Sequence, residues 1–339
     1  MNSSQLGFSD VRSYDCTLKG FTEEEDNHCT TFGGKQGGYD YIGEDHPLFA
    51  QTLADIGNVG FNDIQAKTTP FVKLPPFVPT IRHGSKKLLQ DLNLDYVAIS
   101  IGDVVSSKEL RVIPDVRARF GIPNRTKVVM LGFGKDGLIE RIWTRRYEIF
   151  PKLALLDIDL FTAINYSIWF NQPHAERLIN LKRSLITYQE LQALGVTTIP
   201  HLYWFGHKDL MRWTVWLADN PSVRLVAINL QTERRNRLWA DTMADLRFLV
   251  ANLPRPVHFL ITGPSTIDRI TQIKAVLPSF TLTNGNANRL AASSHLLDVA
   301  DGKQIAQYVG IPRNKILKYN IAFYEAMLET YPIDRHIFS

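Results

Sequence analysis

The chain contains few cysteines and lacks long apolar runs. Cys16 and Cys29 are the only two cysteines among 339 residues, and no partner residues follow them at the spacing of a zinc site. We therefore expect reduced thiols, no metal and no cofactor. No apolar run approaches the roughly 18 residues that cross a bilayer, and the residues after Met1 are polar. These absences predict a cytoplasmic protein that does not associate with membranes.

Strong charge and common catalytic motifs are also missing. The net charge of +4 and the pI near 8.9 are too weak to indicate a nucleic-acid partner by themselves. No GxSxG, HExxH or EF-hand loop occurs, which excludes several hydrolase, metalloprotease and calcium-binding classes. The glycines around Lys35 have no apolar strand before them and no helix after them at the required spacing, so they do not form a P-loop.

Short apolar runs do alternate with amphipathic stretches, and each run is apolar almost throughout. This pattern is typical of a parallel sheet covered by helices on both faces. Eight runs predict an α/β fold, specifically a (β/α)8 TIM-like barrel, with an open doubly wound parallel sheet as the alternative. The predicted strands are Phe77–Ile81, Tyr96–Gly102, Lys127–Phe133, Leu153–Ile158, Val196–Tyr203, Val223–Leu230, Val257–Thr262 and Phe280–Thr283.

Composition divides the chain into three parts. Residues 1–70 contain an acidic run that ends at Asp26 and a glycine-rich stretch, which together predict an irregular N-terminal arm. Residues 71–295 carry the predicted barrel. Residues 296–339 are predicted to form a C-terminal helical segment. The segment Phe161–Asn171 is ambiguous, since it could be a strand end or a long loop.

Polar residues at predicted strand ends supply candidate catalytic groups. Asp157 and Asp159 point to the same side of their predicted strand, and Asp103 follows an earlier one. Paired carboxylates at a barrel rim can act as general base and acid, or one can act as a nucleophile; the alternative is that they are helix caps or solvated loop residues. His201 beside Tyr203 could stack a planar ring and move a proton, although aromatic side chains at such a position more often serve rim packing.

Later strand ends supply candidate ligand-binding groups. Asn229 and Gln231 share one face and could hydrogen-bond a ligand. A T-G-P-S-T loop places Ser265 and Thr266 before a helix, where backbone amides and hydroxyls can hold a phosphate or simply cap the helix. Asn284 begins an amide-rich loop after the last strand, next to the predicted phosphate site.

The C-terminal segment has the residue spacing of a helix-turn-helix. The next helix would begin near Pro312 and would present its polar residues to a nucleic-acid groove; the alternative is a closing helical hairpin with a solvated basic face. The apolar and turn positions are Ile305, Ala306, Val309, Gly310, Ile311 and Ile316. The candidate nucleic-acid-binding residues are Arg313, Asn314, Lys315 and Lys318.

Five stretches, "FVPTIRHGSKK", "DGLIERIW", "NLKRSL", "GVTTIPHLYW" and "HFLITGPST", resemble an uncharacterised domain family of bacteria, phages and other mobile elements. A second pattern, "ITGPSTIDRI…TNGNANRL", is similar to the barrel of tRNA-guanine transglycosylases. That similarity implies one aspartate as nucleophile and another as general acid/base. The cysteine-rich zinc site of those enzymes is absent here.

Two functional hypotheses follow. The first is a barrel enzyme that acts on a phosphate-bearing nucleotide or nucleic-acid base, including a transglycosylase-like activity. The second is a DNA-binding replication or regulatory protein that uses the helix-turn-helix-like segment. Nucleotides or nucleic acids are the expected partners under both hypotheses.

Overall fold

In the computed structural model, residues 49–68, 70–89, 92–168, 174–231, 236–300 and 302–329 are described. Within these ranges the strands are β1 Phe77–Pro79, β2 Tyr96–Ser100, β3 Lys127–Leu131, β4 Leu160–Thr162, β5 Thr198–Ile199, β6 Leu225–Asn229, β7 His258–Thr262, β8 Phe280–Asn284, β9 His295–Ala300 and β10 Lys303–Tyr308. The helices are α1 Phe49–Ile56, α2 Lys86–Leu89, α3 Ile101–Val104, α4 Val116–Phe120, α5 Asp136–Thr144, α6 Arg146–Ala154, α7 His174–Ala193, α8 His207–Asp219, α9 Asn236–Asn252, α10 Ile267–Lys274, α11 Asn286–Ala292 and α12 Arg313–Glu329.

The first eight strands form two parallel sheets of four strands each. Their orders are β1-β8-β7-β6 and β2-β3-β4-β5, so the predicted α/β class with parallel strands is confirmed. Single parallel bridges connect the two sheets, Thr80 to Ala98 at one edge and His201 to Ala227 at the other. At each bridge a backbone amide donates to a carbonyl at 2.8 Å, from Ile81 to Ala98 and from Leu202 to Ala227.

Strand side chains alternate between two apolar clusters. Val97 and Ile99 on β2 pack with helix residues such as Ile139, whereas Ala98 between them belongs to a separate cluster. The strands are therefore apolar on both faces, as buried parallel strands require. We call the second set the inner cluster; its members are Leu74, Val78, Tyr96, Ala98, Val129, Leu131, Leu160, Ile199, Leu225, Ala227 and Leu260.

The fourth strand lies later in the chain than the sequence predicts. Most of the predicted strand Leu153–Ile158 is the end of α6 and the turn after it, and β4 runs from Leu160 to Thr162, at the start of the ambiguous segment. A short apolar run does not by itself distinguish a strand from a buried helix end. As a consequence, Asp157 and Asp159 come before β4 rather than at its carboxyl end.

The predicted helix-turn-helix is wrong in its first half. Ile305 and Ala306 lie in β10, which pairs antiparallel with β9, and Gly302 at φ +71° forms the tight turn between them. Residues 295–300 and 303–308 are therefore the two strands of a β-hairpin rather than part of a helical segment. The second predicted helix exists: α12 begins at Arg313, immediately after Pro312.

Part of the predicted irregular arm is ordered against the helices. Helix α1 lies within residues 49–68, and the indole Nε1 of Trp216 on α8 donates to the Ile64 carbonyl at 2.8 Å. The Phe61 and Trp213 rings lie 4.9 Å apart. Cys16, Cys29, the acidic run and the glycine-rich stretch lie outside the described residues. None of the described helices combines the length and the hydrophobicity that a bilayer-spanning segment needs.

Candidate active site at the carboxyl ends of the strands

A layer of polar side chains follows the inner cluster at the carboxyl ends of seven strands. Most of these residues lie two positions after a member of the inner cluster, so their side chains point to the same side of the sheet. We call this set the polar layer; its members are Thr80, Ser100, Thr162, His201, Asn229, Thr262 and Thr283.

Strand register places four members of the polar layer next to one another. Asn229 is the partner of Thr262, and Thr262 is the partner of Thr283. Adjacent strands lie about 4.8 Å apart, so the three side chains form a row. The Thr80 hydroxyl continues the row, since its Oγ1 lies 2.9 Å from Oγ1 of Thr283.

His201 is the most unusual member of the polar layer. Its side chain is 2% exposed, and neither ring nitrogen makes a hydrogen bond of normal geometry within the described chain. Burial lowers the pKa of His201 to about 4, and a hydrogen bond to the Ala163 backbone opposes this effect. The imidazole is therefore neutral at physiological pH, with one nitrogen able to donate a hydrogen bond and the other able to accept one.

Asn229 and Gln231 occupy the rim beside this row, as the strand alternation predicts. Asn229 is half-buried and its Oδ1 accepts the Gln231 amide at 3.0 Å, whereas Gln231 is exposed. The ends of β6 and β7 approach closely here: a Cβ on Gly263 would lie 2.6 Å from the Gln231 nitrogen, and Gly263 has φ +118°. Only glycine fits this position without displacing the backbone that presents Asn229.

Asp103 lies at the same end of the strands, in the first turn of α3 directly after β2. The Ser100 hydroxyl accepts from the Gly102 amide at 3.1 Å and donates to the Phe133 carbonyl at 2.6 Å, which fixes the strand-to-helix turn. Burial raises the pKa of Asp103, while electrostatic interactions with Arg82 and His83 oppose that rise. A half-buried carboxyl group of raised pKa is suited to accept and return a proton.

Asp159, by contrast, lies at the opposite end of the strands. It directly precedes β4, and its carboxylate accepts the Val128 amide at 2.7 Å. Arg117 lies 3.8 Å from Asp159 and forms an ion pair with Asp157. The predicted pairing of Asp159 with Asp103 in one site is wrong, because parallel strands send their amino and carboxyl ends to opposite sides.

The predicted phosphate loop is closed by other parts of the chain. The first amide of α10, from Ile267, donates to Oε1 of Gln304 on β10 at 3.2 Å, and the Tyr324 hydroxyl donates to the Ser265 carbonyl at 2.9 Å. Thr266 is exposed and makes no side-chain cap. The acidic Asp268 in the first helical turn also disfavours an anion here.

Asn284 has a structural partner on each side. Its Nδ2 donates to the Pro264 carbonyl at 2.9 Å and its Oδ1 accepts the Asn286 amide at 3.0 Å. It follows Thr283, so its side chain lies on the other face of β8 from the polar layer. Asn284 therefore connects the two late loops and does not belong to the row that includes Asn229.

The four predicted nucleic-acid-binding residues lie apart from the polar layer, at the start of α12. Arg313, Lys315 and Lys318 are exposed, whereas Asn314 is half-buried and caps the Lys315 amide at 2.9 Å. The structure keeps these residues together on one surface without joining them to the row at the strand ends.

Sequence reasoning missed the hydroxyl groups of the polar layer. The signal was present, because Thr262 and Thr283 interrupt otherwise apolar alternation near strand ends. It also missed Arg82 and His83, which follow β1 and influence Asp103. These two residues matter because they act on Asp103 after the neighbouring strand β2, and no pattern within β1 indicates that neighbour.

Within the described chain, no group of three or more His, Cys, Asp or Glu side chains could hold a metal ion. No protein-family model matches this chain, and no curated protein matches it significantly.

Proposed function

We propose that the two bridges between the sheets close β1 to β8 into a (β/α)8 barrel and that the chain is an enzyme. Its active site is the polar layer at the mouth formed by the carboxyl ends of the strands. This location agrees with the general behaviour of such barrels, whose reacting groups come from the ends of several strands. The open-sheet alternative would leave two edges without partners, whereas Thr80 and His201 make parallel bridges at both edges.

The observation that carries the proposal is the buried His201, whose ring makes no side-chain hydrogen bond within the described chain and interacts there with the Ala163 backbone. A buried polar group without a hydrogen bond costs free energy, so such groups are rare in folded proteins unless they serve a function. A ligand that supplies one acceptor and one donor to the imidazole would remove this cost. His201 then orients the ligand as a neutral group rather than attracting it by charge.

The chemistry that fits is proton transfer at a planar, polar ligand. Asn229 and the hydroxyls of Thr262, Thr283 and Thr80 offer both donors and acceptors, which matches the mixed edge of a nucleobase. Asp103, with its raised pKa, is the proposed general acid/base. Arg82 next to Asp103 could accept a phosphate group of the ligand. We therefore propose a nucleotide or a nucleic-acid base as the substrate, in line with the resemblance to a family of mobile elements.

A two-aspartate, transglycosylase-like mechanism does not form part of this proposal. It would require a nucleophile and an acid/base group in one site, and Asp159 lies at the amino ends of the strands. The helix-turn-helix form of the DNA-binding hypothesis is also set aside, since residues 303–308 form a strand.

The test combines binding and turnover. Nucleosides and nucleoside monophosphates are screened for thermal stabilisation of the protein, and conversion of those that bind is followed by chromatography. We expect Asn229→Leu to reduce binding at least about tenfold, because the row then loses its amide. Asp103→Asn should keep binding and lose conversion, because the amide cannot transfer a proton.

Asp159→Asn is the matched control, since it makes the same chemical change at the other end of the strands and should alter neither measurement. The proposal fails if no nucleoside or nucleotide binds the wild-type chain. It also fails if Asp159→Asn abolishes conversion while Asp103→Asn does not.

A further inference from the structure

The β9–β10 hairpin and the first half of α12 present exposed aromatic rings together with exposed cations. Tyr308 on β10 is 73% exposed and Tyr319 on α12 is 60% exposed. We call this the hairpin-helix surface. Its exposed cations are Lys303, Arg313, Lys315 and Lys318.

The base of the hairpin and the start of α12 form one continuous surface, and Lys303 lies at the other end of β10. Ser294 joins its two parts, because its carbonyl accepts the Val309 amide at 2.9 Å and its hydroxyl accepts from Arg313 Nε at 3.3 Å. Tyr308 lies across from His295 at the base of the hairpin. On α12, Lys315, Lys318 and Tyr319 are spaced by three and four residues, which places them on one exposed stripe.

The charge distribution of α12 opposes its own helix dipole. Its cations lie in the first half, near the positive end of the dipole, and Glu325 and Glu329 lie in the second half, near the negative end. Both placements destabilise a helix. Burial raises the pKa of Glu325, and the negative charges of Glu329 and Asp95 raise it further. Lys315 and Lys318 therefore gain nothing from the helix dipole, which leaves their charges available to an external partner.

The partner must be anionic and must offer flat faces to aromatic rings. In the sequence of residues 295–321, four cations stand against two acidic residues, Asp298 and Asp301. Exposed tyrosines beside lysines and arginines are the elements with which proteins bind single strands, since unpaired bases stack on rings and phosphates contact the cations. Base pairs in a duplex would not expose their faces to Tyr308 and Tyr319.

We propose that the hairpin-helix surface binds single-stranded nucleic acid. The strand passes beside the mouth of the sheet, because Gln304 of the hairpin accepts the Ile267 amide at the carboxyl end of β7. This inference stands on the surface residues alone and does not depend on the enzymatic proposal.

The test measures fluorescence anisotropy of labelled oligonucleotides of about 16 nucleotides, the upper range of a single-strand site. Single-stranded DNA, single-stranded RNA and duplex DNA of the same length are compared between about 50 and about 200 mM salt. We expect binding to the single strands, weaker binding to the duplex, and a linear fall of log K with log salt. Lys315→Gln combined with Lys318→Gln should reduce that slope by about 1.4, which corresponds to two lost phosphate contacts.

Tyr308→Ala and Tyr319→Ala should each lower the single-strand affinity at least about fivefold, whereas the Tyr→Phe variants should retain it, because the ring supplies the stacking. Lys152→Gln combined with Lys208→Gln removes the same charge from exposed positions on α6 and α8 and should change nothing. Duplex binding as tight as single-strand binding, affinity unaffected by Tyr→Ala, or no binding at about 50 mM salt would each overturn the inference. His201→Leu should leave single-strand binding intact. Failure of the active-site proposal can therefore be distinguished from failure of this one.

Discussion

Two buried histidines at opposite ends of the strands show how differently the molecule treats its two ends. His258 begins β7 on the inner face and is 4% exposed; His201 follows β5 on the same face and is 2% exposed. Burial lowers the pKa of each to about 4. The His258 ring, however, is bonded on both sides, to the Ser279 hydroxyl at 2.6 Å and to the Thr281 hydroxyl at 3.0 Å, whereas His201 lacks such hydrogen bonds.

The surroundings of the two rings follow the same division. At the amino ends of the strands, Thr281 donates to the Pro75 carbonyl at 2.8 Å and Tyr96 donates to the Lys73 carbonyl at 2.9 Å. The chain before β1 thus supplies hydrogen-bond partners to polar groups at this end. The carboxyl ends carry a row of hydroxyls and amides instead. Equal burial of the same residue type therefore serves stability at one end and, we propose, ligand binding at the other.

The largest expected effect is at the satisfied end. His258→Leu should lower the free energy of unfolding by about 2–4 kcal/mol, because it leaves the Ser279 and Thr281 hydroxyls buried with fewer partners. Urea denaturation at about pH 7 measures this change. A loss under about 1 kcal/mol would mean that the His258 hydrogen bonds do not hold this end together.

The pH dependence should be similar for both rings. The unfolded chain binds protons near the ordinary histidine pKa of about 6.5, and the folded chain does so only near about 4. The free energy of unfolding is therefore unaffected by either titration above about pH 6.5, and each ring lowers it as the pH falls toward 4, by up to about 1.4 kcal/mol per unit.

Removal of either ring should reduce this slope. His201→Leu and His258→Leu are each compared with the wild type by urea unfolding at about pH 7, 6 and 5. In both variants the slope of the free energy of unfolding against pH should fall by a similar amount, although their effects on that free energy at about pH 7 have opposite signs. An unchanged slope in His201→Leu would show that its ring is protonated, and therefore solvated, in the folded protein.

His201→Leu should have the smaller effect on stability and the reverse sign. Replacement of this buried ring, which has no side-chain hydrogen bond, by an apolar side chain should raise the free energy of unfolding by about 1 kcal/mol. The same variant should no longer bind the proposed ligand, because residues that bind ligands commonly lower the stability of the protein that carries them. A destabilisation as large as that of His258→Leu would contradict the comparison on which the active-site proposal depends.

The smallest effect concerns the Thr80 and Thr283 hydroxyls, which lie 2.9 Å apart. Thr80→Val or Thr283→Val alone should cost about 1 kcal/mol, because each leaves the other hydroxyl without its partner. The double variant should cost less than the sum, and a double-mutant cycle measures this coupling. Additive losses would show that the two hydroxyls do not form a pair.

Sequence patterns predicted the positions of polar residues correctly where the apolar runs had clear ends. Asn229 and Asp103 lie at strand carboxyl ends as predicted, because β2 and β6 are bounded by clear apolar runs. Asp159 was misplaced because Leu153 and its neighbours are apolar as the buried end of a helix. A run of that length is too short to show whether it forms a helix or a strand. The segment around Ile305 was misread for the same reason, since its apolar spacing suits a hairpin equally well.

The sequence by itself determined the α/β class and the parallel arrangement, because burial on both faces of a strand must be written into consecutive apolar residues. Tertiary structure alone decided which polar residues meet. Thr80 and Thr283 are separated by 203 positions, and the hydroxyl partners of His258 and the absence of such partners at His201 arise only when strands are set side by side. A hydrogen bond forms only within a range of a few tenths of an ångström in the distance from donor to acceptor. The local sequence does not determine distances between residues of different strands to that precision.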